Sequence, residues 1–109
     1  MDWRLRNDGA RLVAAPSGRV DEDSWKDFSD RLNGAVRDAV AAKIPVVVDL
    51  SGLEYMTSKG LRALTMAKNE AKGAITISLA APNATMRRIL AISRYNMLFP
   101  VVDDVDQAG

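Results

Sequence analysis

The run Ile44-Pro45-Val46-Val47-Val48-Asp49-Leu50 constrains the fold more than any other part of the chain. A strand alternates its side chains between two faces, so a run apolar at almost every position needs cover on both. The three β-branched valines after Pro45 favour a strand over a helix. At seven residues the run is far short of the roughly 20 apolar residues of a membrane span. It therefore predicts a central strand of a sheet with other elements packed on it, and the rest of the chain must supply that cover.

The flanking segments supply it. Trp3 and Leu5, then Leu12, Val13 and Ala14, lie on either side of Asn7-Asp8-Gly9, whose Asp-Gly step suits a hairpin turn. After Pro16-Ser17-Gly18 and Val20-Asp21, the residues Trp25, Phe28, Leu32, Ala35, Val36 and Ala39 recur at spacings of three and four, which describes an amphipathic helix. Acids from Asp21 to Asp27 load its start, where the helix dipole is positive, and Ser24 or Asp23 can serve as its N-cap. A second helix is expected from Ser58 to about Lys72, with Leu61, Leu64, Thr65 and Lys68 along one side and Gly73 as the stop. A strand follows over Ile75 to Leu79. Pro82-Asn83 precedes a third helical pattern of Met86, Ile89, Leu90 and Ile92, and Phe99-Pro100-Val101-Val102 reads as a short closing strand. The reading is an α/β fold, a mixed β-sheet with helices packed against it, in the order β-β-α-β-α-β-α-β. It has room for a short helix in the acidic tail of about residues 103–109. One domain over 1–109 is expected, since 109 residues at 48% apolar fill one modest core.

The residues that are missing narrow the function. There is no histidine and no cysteine, which removes the Ser-His-Asp arrangement, histidine metal sites, disulfides and thiolate zinc sites. No enzyme activity is expected, and no cofactor. Fifteen Lys and Arg against fourteen Asp and Glu give a net charge of +1, which provides no electrostatic reason to expect a nucleic acid or an anionic membrane as partner. Met1-Asp2-Trp3-Arg4 does not open a secretory leader, so a soluble, unprocessed, cytoplasmic protein is expected.

The most informative segment runs from Asp49 to Leu61, out of the central strand, through a polar turn, and into the second helix. The first backbone N–H groups of a helix lack partners, and Thr57 or Ser58 can cap them. With no histidine in the chain to act as the base for either hydroxyl, local chemistry goes no further than a cap.

That segment closely resembles the region around the regulatory serine of the anti-sigma-factor antagonists of the STAS family. Their usual form is Asp-Leu-Ser, four residues, an apolar residue, Asp or Thr, Ser, any residue, Gly, Leu. Here it reads Asp49-Leu50-Ser51, then Met56-Thr57-Ser58-Lys59-Gly60-Leu61. Ser17-Gly18-Arg19-Val20-Asp21 is similar to the family's turn before its first helix, and Pro82 to Phe99, with Leu90 and Asn96, to its last helix and closing strand. The resemblance covers nearly the whole chain. It implies a STAS domain that, unmodified, binds an anti-sigma factor serine kinase of the histidine-kinase-like ATPase fold and so frees a sigma factor. Phosphorylation on Ser58 would reverse the binding, and a PP2C-type phosphatase would restore it. ATP and magnesium would belong to the kinase, because this chain has no phosphate-binding loop. The implied partner-binding residues are Asp21, Met56, Thr57, Ser58, Lys59, Gly60 and Leu61.

Two positions depart from the family pattern. Thr57 stands where many members carry Asp, which makes it the second choice as acceptor. Lys59 stands where many have a small residue, and its charge is either solvated or paired with acid on the kinase. The competing reading is a STAS subunit of a membrane lipid-transport or other STAS-regulated complex, docking the same helix on an ATPase without a phosphate cycle. If the second helix faces the kinase, an exposed Met56 or Leu61 would support a docking surface. Arg87, Arg88 and Arg94 give the third helix a basic side, read as solvated because no aromatic platform accompanies it. Met66 and the other internal methionines read as core filler, with Met66 the ambiguous one.

Overall fold

Val46, Val47 and Val48 are buried at the middle of the sheet, as their run predicts, in strand β3 (Val46–Asp49) of the computed structural model, which describes residues 1–108. Ahead of it, β1 (Asp2–Asn7) and β2 (Leu12–Val20) form the antiparallel hairpin. Asp8 organises their turn, its carboxylate accepting the N–H groups of Ala10 at 3.0 Å and Arg11 at 2.9 Å, while Gly9 takes φ +86°. Helix α1 (Trp25–Ala42) leads into β3, then come β4 (Leu53–Met56), α2 (Ser58–Ala71), β5 (Ile77–Ala80), α3 (Ala84–Ile92) and β6 (Val101–Val102). The sheet order is β1-β2-β3-β5-β6, parallel everywhere except at the opening hairpin.

Alternation along the strands divides the core. Leu12, Val46, Val48, Ile77 and Leu79 face the helices and pack with Phe28, Leu32 and Val36 of α1, Leu64 and Ala67 of α2, and Leu90 of α3. The opposite face carries a smaller cluster of Val13, Val47, Ala80 and Ala108. The acidic tail covers it with a single 3-10 turn, Val105–Gln107, where a short helix was expected. Arg11 fastens that turn by donating to the carbonyls of Val105 at 2.6 Å and Ala108 at 2.9 Å.

Strand β4 is the one strand the sequence did not disclose, because Leu53 to Met56 was read as part of a polar turn. It pairs in parallel with the far half of β2, away from the main order, with a register shift between Gly18 and Arg19. Only Leu53 and Met56 are buried, and two inward residues in a four-residue strand give too little alternation to register. The other differences lie at element ends. Strand β5 begins at Ile77, not Ile75, and α2 stops when Lys72 takes the left-handed conformation (φ 51°) one residue before Gly73 (φ 76°).

Asn83 ties α3 to the hidden strand. Its Oδ1 accepts the N–H of Met86 at 2.7 Å, and its Nδ2 donates to the Leu53 carbonyl at 3.0 Å. An Asn83→Ala variant is expected to lose about 1–2 kcal/mol in urea unfolding, the usual cost of a deleted N-cap. Asn83→Asp should recover part of that loss, because it keeps the acceptor and removes only the amide donor.

Candidate partner-docking site at the start of helix α2

The pairing of β2 with β4 builds the site. It sets Val20 opposite Met56, and the Thr57 N–H continues the ladder by donating to the Val20 carbonyl at 2.9 Å. The turn that follows β2 and the first turn of α2 therefore occupy one corner of the molecule. Asp21, 37 positions before Ser58 in sequence, reaches that corner only through this strand pair.

Asp21 holds the turn. Its Oδ1 accepts the N–H of Asp23 at 3.0 Å and of Ser24 at 3.2 Å, and its own N–H donates to Ser24 Oγ at 3.0 Å. The Asp23 N–H, then the Ser24 hydroxyl, hold the Asp21 carboxyl below the ordinary carboxylate value. Ser24 sits at the N-cap position of α1, but its side chain makes no capping bond to the helix and donates back to the Arg19 carbonyl at 2.8 Å. Because folding lowers the Asp21 pKa, its stabilising effect is complete above about pH 4 and is lost as pH falls through the folded value. Asp21→Asn is accordingly expected to show a shallower acid limb than the parent when unfolding is followed from pH 5 to pH 2.

Thr57 occupies the N-cap of α2 with extended backbone (φ −85°, ψ 178°), and its carbonyl accepts the Leu61 N–H at 3.1 Å. Its hydroxyl does not cap the helix. Thr57 Oγ1 is buried and has no hydrogen-bond partner among the described residues. Ser58, the next residue and the first of the helix, is exposed. Two adjacent hydroxyls thus differ sharply in access.

Gly60 is a spacing residue. A Cβ there would lie 2.8 Å from Val20 Cγ1 and 2.9 Å from Met56 Cβ, so the helix start approaches the two strands as closely as it does only without a side chain. Met56 (3% exposed) and Leu61 (9%) are buried, so Met56 is core filler as read and neither residue gives the support that an exposed side chain would have lent to a docking surface. Their alternation and helical spacing place both on inward faces. Among the seven residues expected to meet a partner, Ser58 and part of Lys59 are on the surface, Asp21 and Thr57 are half-buried, and Met56, Gly60 and Leu61 are interior. Lys59 is paired. Its Nζ lies 3.1 Å from Glu22 and 5.3 Å from the centre of the Trp25 ring, in an exposed arrangement that contributes at most about 1 kcal/mol. Glu22 and Trp25 went unrecognised as site residues because their link to Lys59 runs through β4. Met66 is 43% exposed on the outer stripe of α2 that also carries Ser58 and Arg62, and Met97 is 81% exposed, so the reading of both as core filler is corrected.

No group of three or more side chains that could hold a metal ion occurs among the described residues. What the corner offers is one accessible hydroxyl at a helix N-terminus, on a rigid platform of strand ladder and close helix packing. Residues 3–100 match a family model described as Mlab, STAS domain. The chain is a STAS-domain protein.

This STAS domain is 35% identical over 95 residues, 86% of its length, to a STAS-domain containing protein of Pseudomonas aeruginosa, 90% of which is covered. An anti-sigma-factor antagonist (STAS) domain protein from Planctomyces limnophilus superposes with a TM-score of 0.87 at 17% identity, over 99% of this chain and 95% of that one. The unphosphorylated anti-sigma factor antagonist SpoIIAA superposes at 0.68 with 18% identity, over 95% of this chain and 89% of that one. The phosphorylated form of SpoIIAA, from Bacillus, gives 0.66 at 18%, over 92% and 90%. These likenesses establish a shared fold.

Proposed function

We propose that this STAS domain is an anti-sigma factor antagonist that binds an anti-sigma serine kinase while Ser58 is unmodified, and is switched off when that kinase phosphorylates Ser58. The observation that carries the reading is the contrast at the helix start: Ser58 is exposed and Thr57 Oγ1 is buried. A kinase must bring the acceptor oxygen into line with the γ-phosphate, and only Ser58 offers its oxygen without local unfolding. Fold similarity to SpoIIAA, known in unphosphorylated and phosphorylated forms, supports the same reading.

Helix electrostatics favour a switch in binding over a switch in folding. A phosphoserine carries about −1.5 to −2 charge, and at the first residue of α2 it faces the positive end of the dipole. The modified domain stays folded, and the added bulk and charge oppose docking. A PP2C-type phosphatase completes the cycle, and the setting is cytoplasmic. No helix is long and apolar enough to cross a membrane among the described residues.

The second reading is a STAS subunit that docks α2 on an ATPase without a phosphate cycle, as in a lipid-transport complex. The description Mlab on the matching family model keeps it beside the first. Ser58→Ala separates the two when mixed with the candidate kinase and ATP. The antagonist reading expects the variant to stay bound while the parent is released. Equal retention of parent and variant, with no phosphate incorporated, would support the ATPase-docking reading.

A further inference from the structure

The near-neutral total charge conceals a strong segregation. From Ala71 to Val102 the chain contains no Asp or Glu, yet it carries Lys72, Arg87, Arg88 and Arg94. Within this stretch, at the C-terminal end of α2 and about 20 Å along the helix from Ser58, lies a cleft of roughly 420 Å³. Ile75, Leu98, Phe99 and Pro100 line it, and Lys68 and Lys72 stand on its rim. The cleft exists because β6 is too short: Val101 and Val102 pair with Leu79 and Ala80, so the Ile77 end of β5 has no strand beside it on that side. Leu98, in the lining, is 46% exposed, and Met97, the residue before it, is 81% exposed.

We propose that this cleft is a second docking site, for an acidic peptide segment of a partner protein that inserts an apolar anchor beside Leu98 and Phe99 and sets carboxylates against Lys68 and Lys72. The charge pattern selects the occupant. The lining of the cleft carries Lys68 and Lys72 and no carboxylate, and such a rim repels a basic segment and attracts an acidic one. The shape selects a peptide over an anionic membrane, because a concave slot beside an open strand edge fits an extended chain, whereas a bilayer meets a flat or protruding surface. Lys68 is already poised there: its Nζ donates to the Leu98 carbonyl at 2.9 Å and lies 5.5 Å from the centre of the Phe99 ring. The site is independent of Ser58 and of the phosphate cycle.

Selection of a random 12-residue phage-displayed peptide library on the full chain tests this. Enriched peptides are expected to combine two or more Asp or Glu with Leu, Ile or Phe. Their binding is expected to fall by about tenfold or more on Lys68→Glu/Lys72→Glu and on Leu98→Asp, and to weaken as salt rises. Both variants alter exposed side chains, and an unchanged melting temperature is required of each. Ser58→Glu is expected to leave the peptide affinity unchanged, so failure here and failure of the Ser58 reading are separable. The proposal is overturned if no acidic peptide is enriched, if enriched peptides bind the cleft variants as well as the parent, or if the chain instead sediments with phosphatidylglycerol vesicles in a manner abolished by the same substitutions.

Discussion

Gly60→Ala is expected to destabilise the domain by about 1–3 kcal/mol, although alanine is the better helix former. The added methyl would meet Val20 Cγ1 at 2.8 Å and Met56 Cβ at 2.9 Å. Both belong to buried residues at the junction of β2 and β4, so neither can swing into solvent. Gly34, inside α1, provides the contrast. A Cβ there meets nothing within 4 Å, so Gly34→Ala should stabilise by about 0.5–1 kcal/mol through propensity alone. Urea unfolding of the two variants side by side checks the pair. Equal stabilisation by both would mean that α2 does not rest on the strands as closely as described. Because Ser58 lies two residues before Gly60, a helix start pushed outward also moves the acceptor hydroxyl, and Gly60→Ala should be phosphorylated more slowly than its stability alone explains.

Ser58→Glu is expected to weaken binding to the anti-sigma kinase by about a hundredfold or more, close to 3 kcal/mol, with the fold intact. The separation of the two effects is the informative part. A carboxylate in the first turn of α2 interacts favourably with the helix dipole by about 0.3–1 kcal/mol, so the melting temperature should hold or rise slightly. Against a partner surface that fits a neutral hydroxyl, the same charge is buried without a counterion. Titration calorimetry of parent and variant against the kinase, with melting curves of both, measures the two quantities together. A variant that bound normally, or that lost binding only because it unfolded, would remove the switch from Ser58.

The sequence disclosed what rests on long periodic runs. The valine-rich central strand, the Phe28-Leu32-Val36 stripe of α1 and the span of α2 all stand in the structure within a residue or two of where periodicity placed them. Its failure was local and had consequences. Leu53 to Met56 is a strand because β2 runs long enough to pair first with β3 and then with β4, and no four-residue pattern encodes that second pairing. Missing it hid the link between the Asp21 turn and Ser58, and with it the partners of Lys59. Thr57 shows a second limit. Its backbone fills the N-cap as its residue type suggests, but its hydroxyl turns inward and caps nothing. Residue type identifies a position, while access depends on packing that sequence spacing does not report.

Site mapping of the phosphate is the most direct measurement. The full chain is incubated with an anti-sigma serine kinase from its own genome and ATP, digested, and the peptide spanning Met56 to Arg62 is fragmented by tandem mass spectrometry. The expected result is a single phosphate on Ser58, abolished in Ser58→Ala and undiminished in Thr57→Val. Phosphate on Thr57 instead, or a stable complex with the kinase in which neither hydroxyl is ever modified, would contradict it.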